Sequence, residues 1–94
     1  MKENDVTINE DKSRFELQVD GETAFIEFRR AGDDYLLTHT EVPKSMEGKG
    51  VGKKIVSQTL EYLKSNNARF IPACSFINAY VKRHPEWAEF VAKD

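Results

Sequence analysis

Three glycines at every second position, Gly48, Gly50 and Gly52, run directly into a helical pattern that begins at Val51, Ile55 and Val56. The first N–H groups of a helix have no internal partner, and the aligned peptide dipoles leave that end positive. Glycine lets an anion approach the backbone closely, and Lys49, Lys53 and Lys54 add positive charge beside it. The local pattern reads either as a phosphate site or as a glycine-rich turn before a surface helix. Two known phosphate loops do not fit. A Walker loop requires glycine where Glu47 stands and serine or threonine where Lys54 stands; the dinucleotide fingerprint requires glycine where Lys53 stands.

The residues around this junction set its structural context. Phe15, Leu17 and Val19 alternate with Glu16, Gln18 and Asp20, as in a half-buried strand. Asp20-Gly21 is a hairpin signal, and Ala24, Ile26 and Phe28 then alternate with Phe25, Glu27 and Arg29. After a turn at Ala31-Gly32-Asp33-Asp34, residues 35–42 read as a third strand of an antiparallel meander. Strict alternation puts Tyr35, Leu37, His39 and Glu41 on one face, with Leu36, Thr38, Thr40 and Val42 on the other. Pro43 ends the ladder. Val6 and Ile8 suggest an edge strand or a loose lead-in.

A helix over 48–65 carries Val51, Ile55, Val56, Leu60 and Leu63 on one stripe, and Asn66-Asn67 stops it. Residues 69–74 form a short apolar run holding Pro72, an edge or irregular strand. A right-handed βαβ crossover makes that strand parallel to the third. Phe76, Ile77, Tyr80 and Val81 follow at helical spacing, and beyond Pro85 the residues Trp87, Phe90 and Val91 suggest a last short helix. The class is mixed α/β, of the α+β kind: a meander, a βαβ unit with one parallel strand pair, and short C-terminal helices.

Ninety-four residues, 39% hydrophobic and 32% charged, are expected to form one domain over 1–94. A net charge of −2 argues against a nucleic-acid partner. One cysteine precludes an internal disulfide, and no apolar run suits a secretory signal or a membrane span. The expectation is a cytoplasmic chain without a membrane partner. Two histidines and one cysteine, spread along the chain, make a poor metal site, so none is expected.

The order of these elements resembles the GNAT N-acetyltransferase superfamily in a minimal form. Its acetyl-CoA motif, Arg/Gln-x-x-Gly-x-Gly/Ala, is matched by residues Glu47-Gly48-Lys49-Gly50-Val51-Gly52 except at Glu47. The segments His39-Thr40-Glu41-Val42-Pro43, Pro72-Ala73-Cys74 and 80–87 are similar to a small acetyltransferase-like subfamily of this length.

The resemblance implies that backbone N–H groups of Gly48, Lys49, Gly50, Val51, Gly52 and Lys53 hold the diphosphate of acetyl-CoA. Glu41 and Val42 would line its pantetheine arm, and the gap between the third strand and residues 70–74 would receive the acetyl group. Tyr80 falls where relatives carry the acid for the leaving thiolate, and Cys74 falls at the cofactor end. His39 or Glu41 would take the proton from an amine acceptor of unassigned identity, and His39 is the candidate base for Cys74. Each has an ordinary alternative: a buried thiol, a satisfied strand histidine, a solvated carboxylate, a core tyrosine. The function implied is acetyl-CoA-dependent N-acetyl transfer, directly or through a Cys74 thioester. The alternatives are a non-catalytic CoA-binding module or an interaction domain that has lost the cofactor, given Glu47. Oligomeric state is not fixed by these patterns.

Overall fold

The computed structural model describes residues 5–92; residues 1–4, on which the expectation about a signal run falls, and residues 93–94 lie outside that range. Five strands form one sheet in chain order: β1 (Thr7–Asn9), β2 (Arg14–Val19), β3 (Glu22–Ala31), β4 (Asp34–Glu41) and β5 (Phe70–Pro72). The first three neighbouring pairs are antiparallel and β4–β5 is parallel. The expected meander and βαβ unit are therefore present, and β1 is the edge strand. At the β2–β3 hairpin Asp20 and Gly21 have φ of 52° and 80°, the two positive values a type I′ turn needs.

Helix α1 (Val51–Ser65) crosses from β4 to β5 and buries Val51, Ile55, Val56, Thr59, Leu60 and Leu63. These meet Phe15, Leu17, Ala24, Ile26, Phe28, Tyr35, Leu37 and Phe70 of the sheet in one apolar cluster. The helix begins three residues later than the expected 48, because Gly48 and Gly50 stand at φ of 81° and 75°. Such left-handed residues cannot continue a right-handed helix. A short 3-10 turn, Lys44–Met46, precedes them and plugs Met46 into the core. The Ser45 hydroxyl donates to the Glu22 carboxylate and ties that turn to the start of β3. Asn67, at φ 56°, ends α1 as its sequence suggests.

Helix α2 (Ser75–Arg83) buries only Ile77 and Val81, and the last segment, Pro85–Phe90, is a 3-10 helix that buries Trp87. Strand β5 is not left as an edge. Val91 bridges to Phe70 in parallel, and the Ala92 N–H donates to the Phe70 carbonyl at 2.8 Å.

Two features depart from strict alternation. Glu16 is buried on the face away from α1, where it accepts from Arg14 at 2.6 Å and from Asn9 at 3.3 Å. More consequential is a β-bulge between β3 and β4. Phe28 pairs with Leu37, but Glu27 pairs with His39, so Thr38 is an extra residue. The bulge flips the pattern. His39 and Glu41 pair with Glu27 and Phe25 on the face away from α1, while Thr40 joins Ile26 on the helix side. Tyr35 and Leu37 thus do not share a face with His39 and Glu41.

Thr59 is fully buried, and its hydroxyl has no partner among the described residues. An unmet buried hydroxyl costs free energy, so Thr59→Val, of similar shape, is expected to stabilise the chain by about 1 kcal/mol. Urea unfolding measures it, and a lowered midpoint would show that the hydroxyl is bonded after all.

Candidate active site

The glycine loop and the start of α1 face an open groove of about 610 Å³. Val42, Gly48, Gly50, Val51, Gly52 and Lys53 all line it, with Met46, Glu47 and Phe76. Lys49 does not, and its N–H is spent on the Met46 carbonyl at 3.3 Å. Among the described residues the N–H groups of Gly48, Gly50, Val51, Gly52 and Lys53 donate to no backbone carbonyl. The first helical bond is Lys54 N–H to the Gly50 carbonyl, at 3.0 Å. Five residues with N–H groups that lack a backbone acceptor, and the positive end of a fifteen-residue helix, thus line one groove. Glu47 is the one lining residue of opposing charge.

Two strands part just before Val42 in one and Phe76 beyond the other, the two residues of these segments that line the groove; Thr40, Glu41 and Cys74 do not line it. Strand β5 pairs with β4 only at Tyr35, Leu36 and Leu37. The Cys74 N–H still reaches the Leu37 carbonyl at 2.9 Å, and then the chain turns away into α2. Among the described residues no strand pairs with Thr38–Glu41 on that side. Cys74 stands at this divergence, half-buried, as the N-terminal cap of α2. Its Sγ lies 3.5 Å from Thr40 Oγ1. Burial alone would raise the thiol pKa. Hydrogen bonds from the Thr40 hydroxyl and from the backbone of Ile77 and Phe76 outweigh it, and the net pKa falls below its ordinary value.

The other candidates lie elsewhere. His39 and Glu41 hold each other, Nε2 to Oε1 at 2.9 Å, both half exposed on the face away from α1. The side chain that meets Cys74 is Thr40, brought over by the bulge, and not His39. Tyr80 packs its ring on His84 at 4.3 Å and lines a hollow with Ser57, Glu61 and Trp87. Burial first, then Glu86 and Glu61, raise its hydroxyl pKa against hydrogen bonds with Ser57 and Trp87. It is absent from the lining of the glycine groove. Among the described residues no group of three or more His, Cys, Asp and Glu side chains could hold a metal ion. No helix there is long and apolar enough to cross a membrane.

Residues 14–90 match the family model described as GCN5-related N-acetyl-transferase. The chain belongs to that family. Curated relatives include the proteins NATD1 of Gallus gallus and Homo sapiens. Each is 33% identical over 49 residues, which is 52% of this chain and 44% or 43% of the relative. The matched stretch is therefore less than half the length of those relatives. The solution structure of a GCN5-like protein from Staphylococcus aureus superimposes over 100% of this chain and 93% of its own. Its TM-score is 0.71 at 23% identity, so the likeness is one of fold.

Three contributors to this member's groove and thiol escaped the sequence. Met46 hides in a turn that has no periodic signature, and Thr40 changes face through a bulge that alternation does not signal. Phe76 did leave a trace. It stands off the Ile77–Val81 stripe, and at 45% exposure it is the one large hydrophobic side chain on the surface of the described residues. Its ring rests on Gly52, where an added Cβ would come within 2.9 Å of Phe76 Cζ.

Gly50 and Gly52 are therefore required for different reasons. Gly50→Ala meets open space but a left-handed backbone, and should cost about 1–2 kcal/mol in denaturant unfolding. Gly52→Ala meets only the tip of an exposed ring that can swing. Its stability should stay within about 0.5 kcal/mol of wild type. Equal losses at both positions would contradict this division.

The Cys74 thiol also has a measurable signature. Because its pKa is lowered, its alkylation rate by iodoacetamide should reach half-maximum at a lower pH than that of the same thiol in the unfolded chain. Thr40→Val should move that midpoint upward, since it deletes the hydroxyl that stabilises the thiolate. An unmoved midpoint would remove Thr40 from the account.

Proposed function

We propose that this chain transfers an acetyl group from acetyl-CoA to an amine. The observation that carries the reading is the set of five N–H groups without a backbone acceptor on residues that line one groove, which Val42, the residue after β4, also lines. A diphosphate seated there would meet Gly48, Gly50, Val51, Gly52 and Lys53, with the Lys53 ammonium beside it. The pantetheine arm would extend along Glu41 and Val42, adding a strand-like partner where β5 has turned away. That direction carries the thioester toward Cys74 and Thr40.

In the direct route the amine nitrogen attacks the thioester carbonyl, its proton passes to the His39–Glu41 pair, and CoA leaves as the thiol. The two groups would meet across the edge of β4, with the amine approaching from the exposed face where His39 and Glu41 stand. Tyr80 holds its proton at neutral pH, the state a donor to the leaving thiolate needs. Its hydroxyl would have to turn out of the hollow it shares with Ser57 and Trp87. In the covalent route the Cys74 thiolate takes the acetyl group first, releasing CoA, and the amine then cleaves the new thioester. The lowered thiol pKa favours that variant.

Titration with acetyl-CoA, followed by backbone amide resonances, tests the groove. The signals of Gly48, Gly50, Gly52 and Lys53 should move most, and Glu47→Gln should bind severalfold more tightly by removing the opposing charge. Unmoved loop signals would refute the cofactor site. Moved signals with no product from any amine would leave a CoA-binding module. An acetyl adduct found by mass spectrometry, and lost in Cys74→Ala, would select the covalent route.

A further inference from the structure

The last helical segment, Pro85–Phe90, is of the 3-10 type, with three residues per turn, so side chains three apart stand one above the other. Its sequence turns that geometry into two rows: Glu86 with Glu89, and Trp87 with Phe90, whose ring centroids lie 5.6 Å apart. Both rows line a hollow of about 280 Å³, to which α1 contributes Glu61 and Lys64, one turn apart. Tyr80 supplies a third aromatic ring. The Lys64 ammonium lies 5.9 Å from the centre of the Trp87 ring and 5.6 Å from that of Phe90, within cation–π reach of both. Among the described residues it forms no ion pair with Glu61, Glu86 or Glu89. Glu61 and Glu89 have no ion-pair partner there either, and Glu86 has only His84 Nδ1, at 3.9 Å. One ammonium therefore faces three carboxylates, and the hollow keeps an excess of negative charge. Tyr80 registers that field: after burial, Glu86 and Glu61 are the groups that raise its hydroxyl pKa.

We infer that this hollow is a binding site for an aliphatic diammonium ion, and that Lys64 is its resident stand-in. The Lys64 side chain is itself an alkyl stem ending in an ammonium, so its seat over Trp87 and Phe90 shows which chemistry the aromatic row accepts. It is exposed and held there by ring contacts alone, so it can swing out to water when a ligand arrives. An incoming ammonium then takes its place over the rings, and the alkyl spacer lies along their apolar faces. The second ammonium meets the carboxylates of Glu61, Glu86 and Glu89 in charge-assisted hydrogen bonds. A metal ion is a poorer occupant. Among the described residues no group of three or more His, Cys, Asp and Glu side chains is arranged to hold one, and an aromatic row offers it no oxygen ligands. The inference makes no use of the acetyl-CoA reading, since this hollow shares no lining residue with the glycine groove.

Trp87 is the chain's one tryptophan, so its fluorescence reports on the hollow. Titration of the full chain with cadaverine, without acetyl-CoA and at fixed ionic strength, should give a saturable change. Amylamine, with the same carbon chain and a single ammonium, should bind about tenfold more weakly, the loss expected for a charge-assisted hydrogen bond. Lys64→Gln should bind cadaverine severalfold more tightly, because the resident competitor is gone. Glu61→Gln should bind it severalfold less tightly. Both positions are exposed on α1, and circular dichroism establishes that each variant is folded. No saturable change in either wild type or Lys64→Gln would overturn the inference. Equal binding of cadaverine and amylamine would overturn the selectivity for two ammonium groups. An affinity left unchanged by Glu61→Gln would put the diamine elsewhere on the chain and overturn the assignment of this hollow. Weaker binding by Lys64→Gln would overturn the role of Lys64 as a stand-in.

Discussion

The packing of α1 against the sheet is the interaction on which the rest depends. Ile55, Val56, Leu60 and Leu63 are at most 1% exposed, and they meet inward residues of β2, β3, β4 and β5. A helix held along its length cannot tilt or slide, so its first turn is fixed in space. The chain before it must then reach that turn from the end of β4 within nine residues. It does so through the Lys44–Met46 turn and two left-handed glycines, a path that leaves five N–H groups unspent. The groove is a by-product of anchoring the helix by its buried face alone.

A second constraint divides the chemistry between two faces. One extra residue in β4 places Thr40 with Cys74 on the helix side and His39 with Glu41 on the exposed side. Beyond the bulge β4 loses its parallel partner, because β5 contains Pro72 and ends there. Pairing, bulge and separation follow within a few residues of one another. The sheet therefore opens at the end where the thiol and the hydroxyl stand, just before the chain enters the Lys44–Met46 turn and the glycine loop. The cap position of Cys74 is part of the same geometry, since α2 can begin only where β5 lets go.

Most of the architecture is legible in the sequence. Period-two alternation in 15–28, the Asp20-Gly21 turn and the Val51–Leu63 stripe are local signals, each written within a few consecutive residues. Their meander and crossover follow from short turns and handedness. Helix α1 starts three residues beyond the expected position 48 because glycine is compatible with both helix and left-handed turn. The groove residues Val42, Gly48, Gly50, Val51, Gly52 and Lys53 were legible as a group, since the motif itself supplies the backbone donors. Lys49 was not separable from them, because its N–H is satisfied by a turn that the sequence does not announce.

The sequence by itself determined the elements, their order and the glycine mouth of the long helix, because each is encoded by neighbours along the chain. Only the tertiary structure decided which side chains share a space. A single bulge reverses the face of every later residue in a strand, so the partner of Cys74 became Thr40 and not His39. Two helices brought side by side set Lys53 next to Phe76 and Arg83, positions that lie 23 and 30 residues apart in the chain. Contact between distant residues depends on how whole elements pack, and no local pattern carries that information.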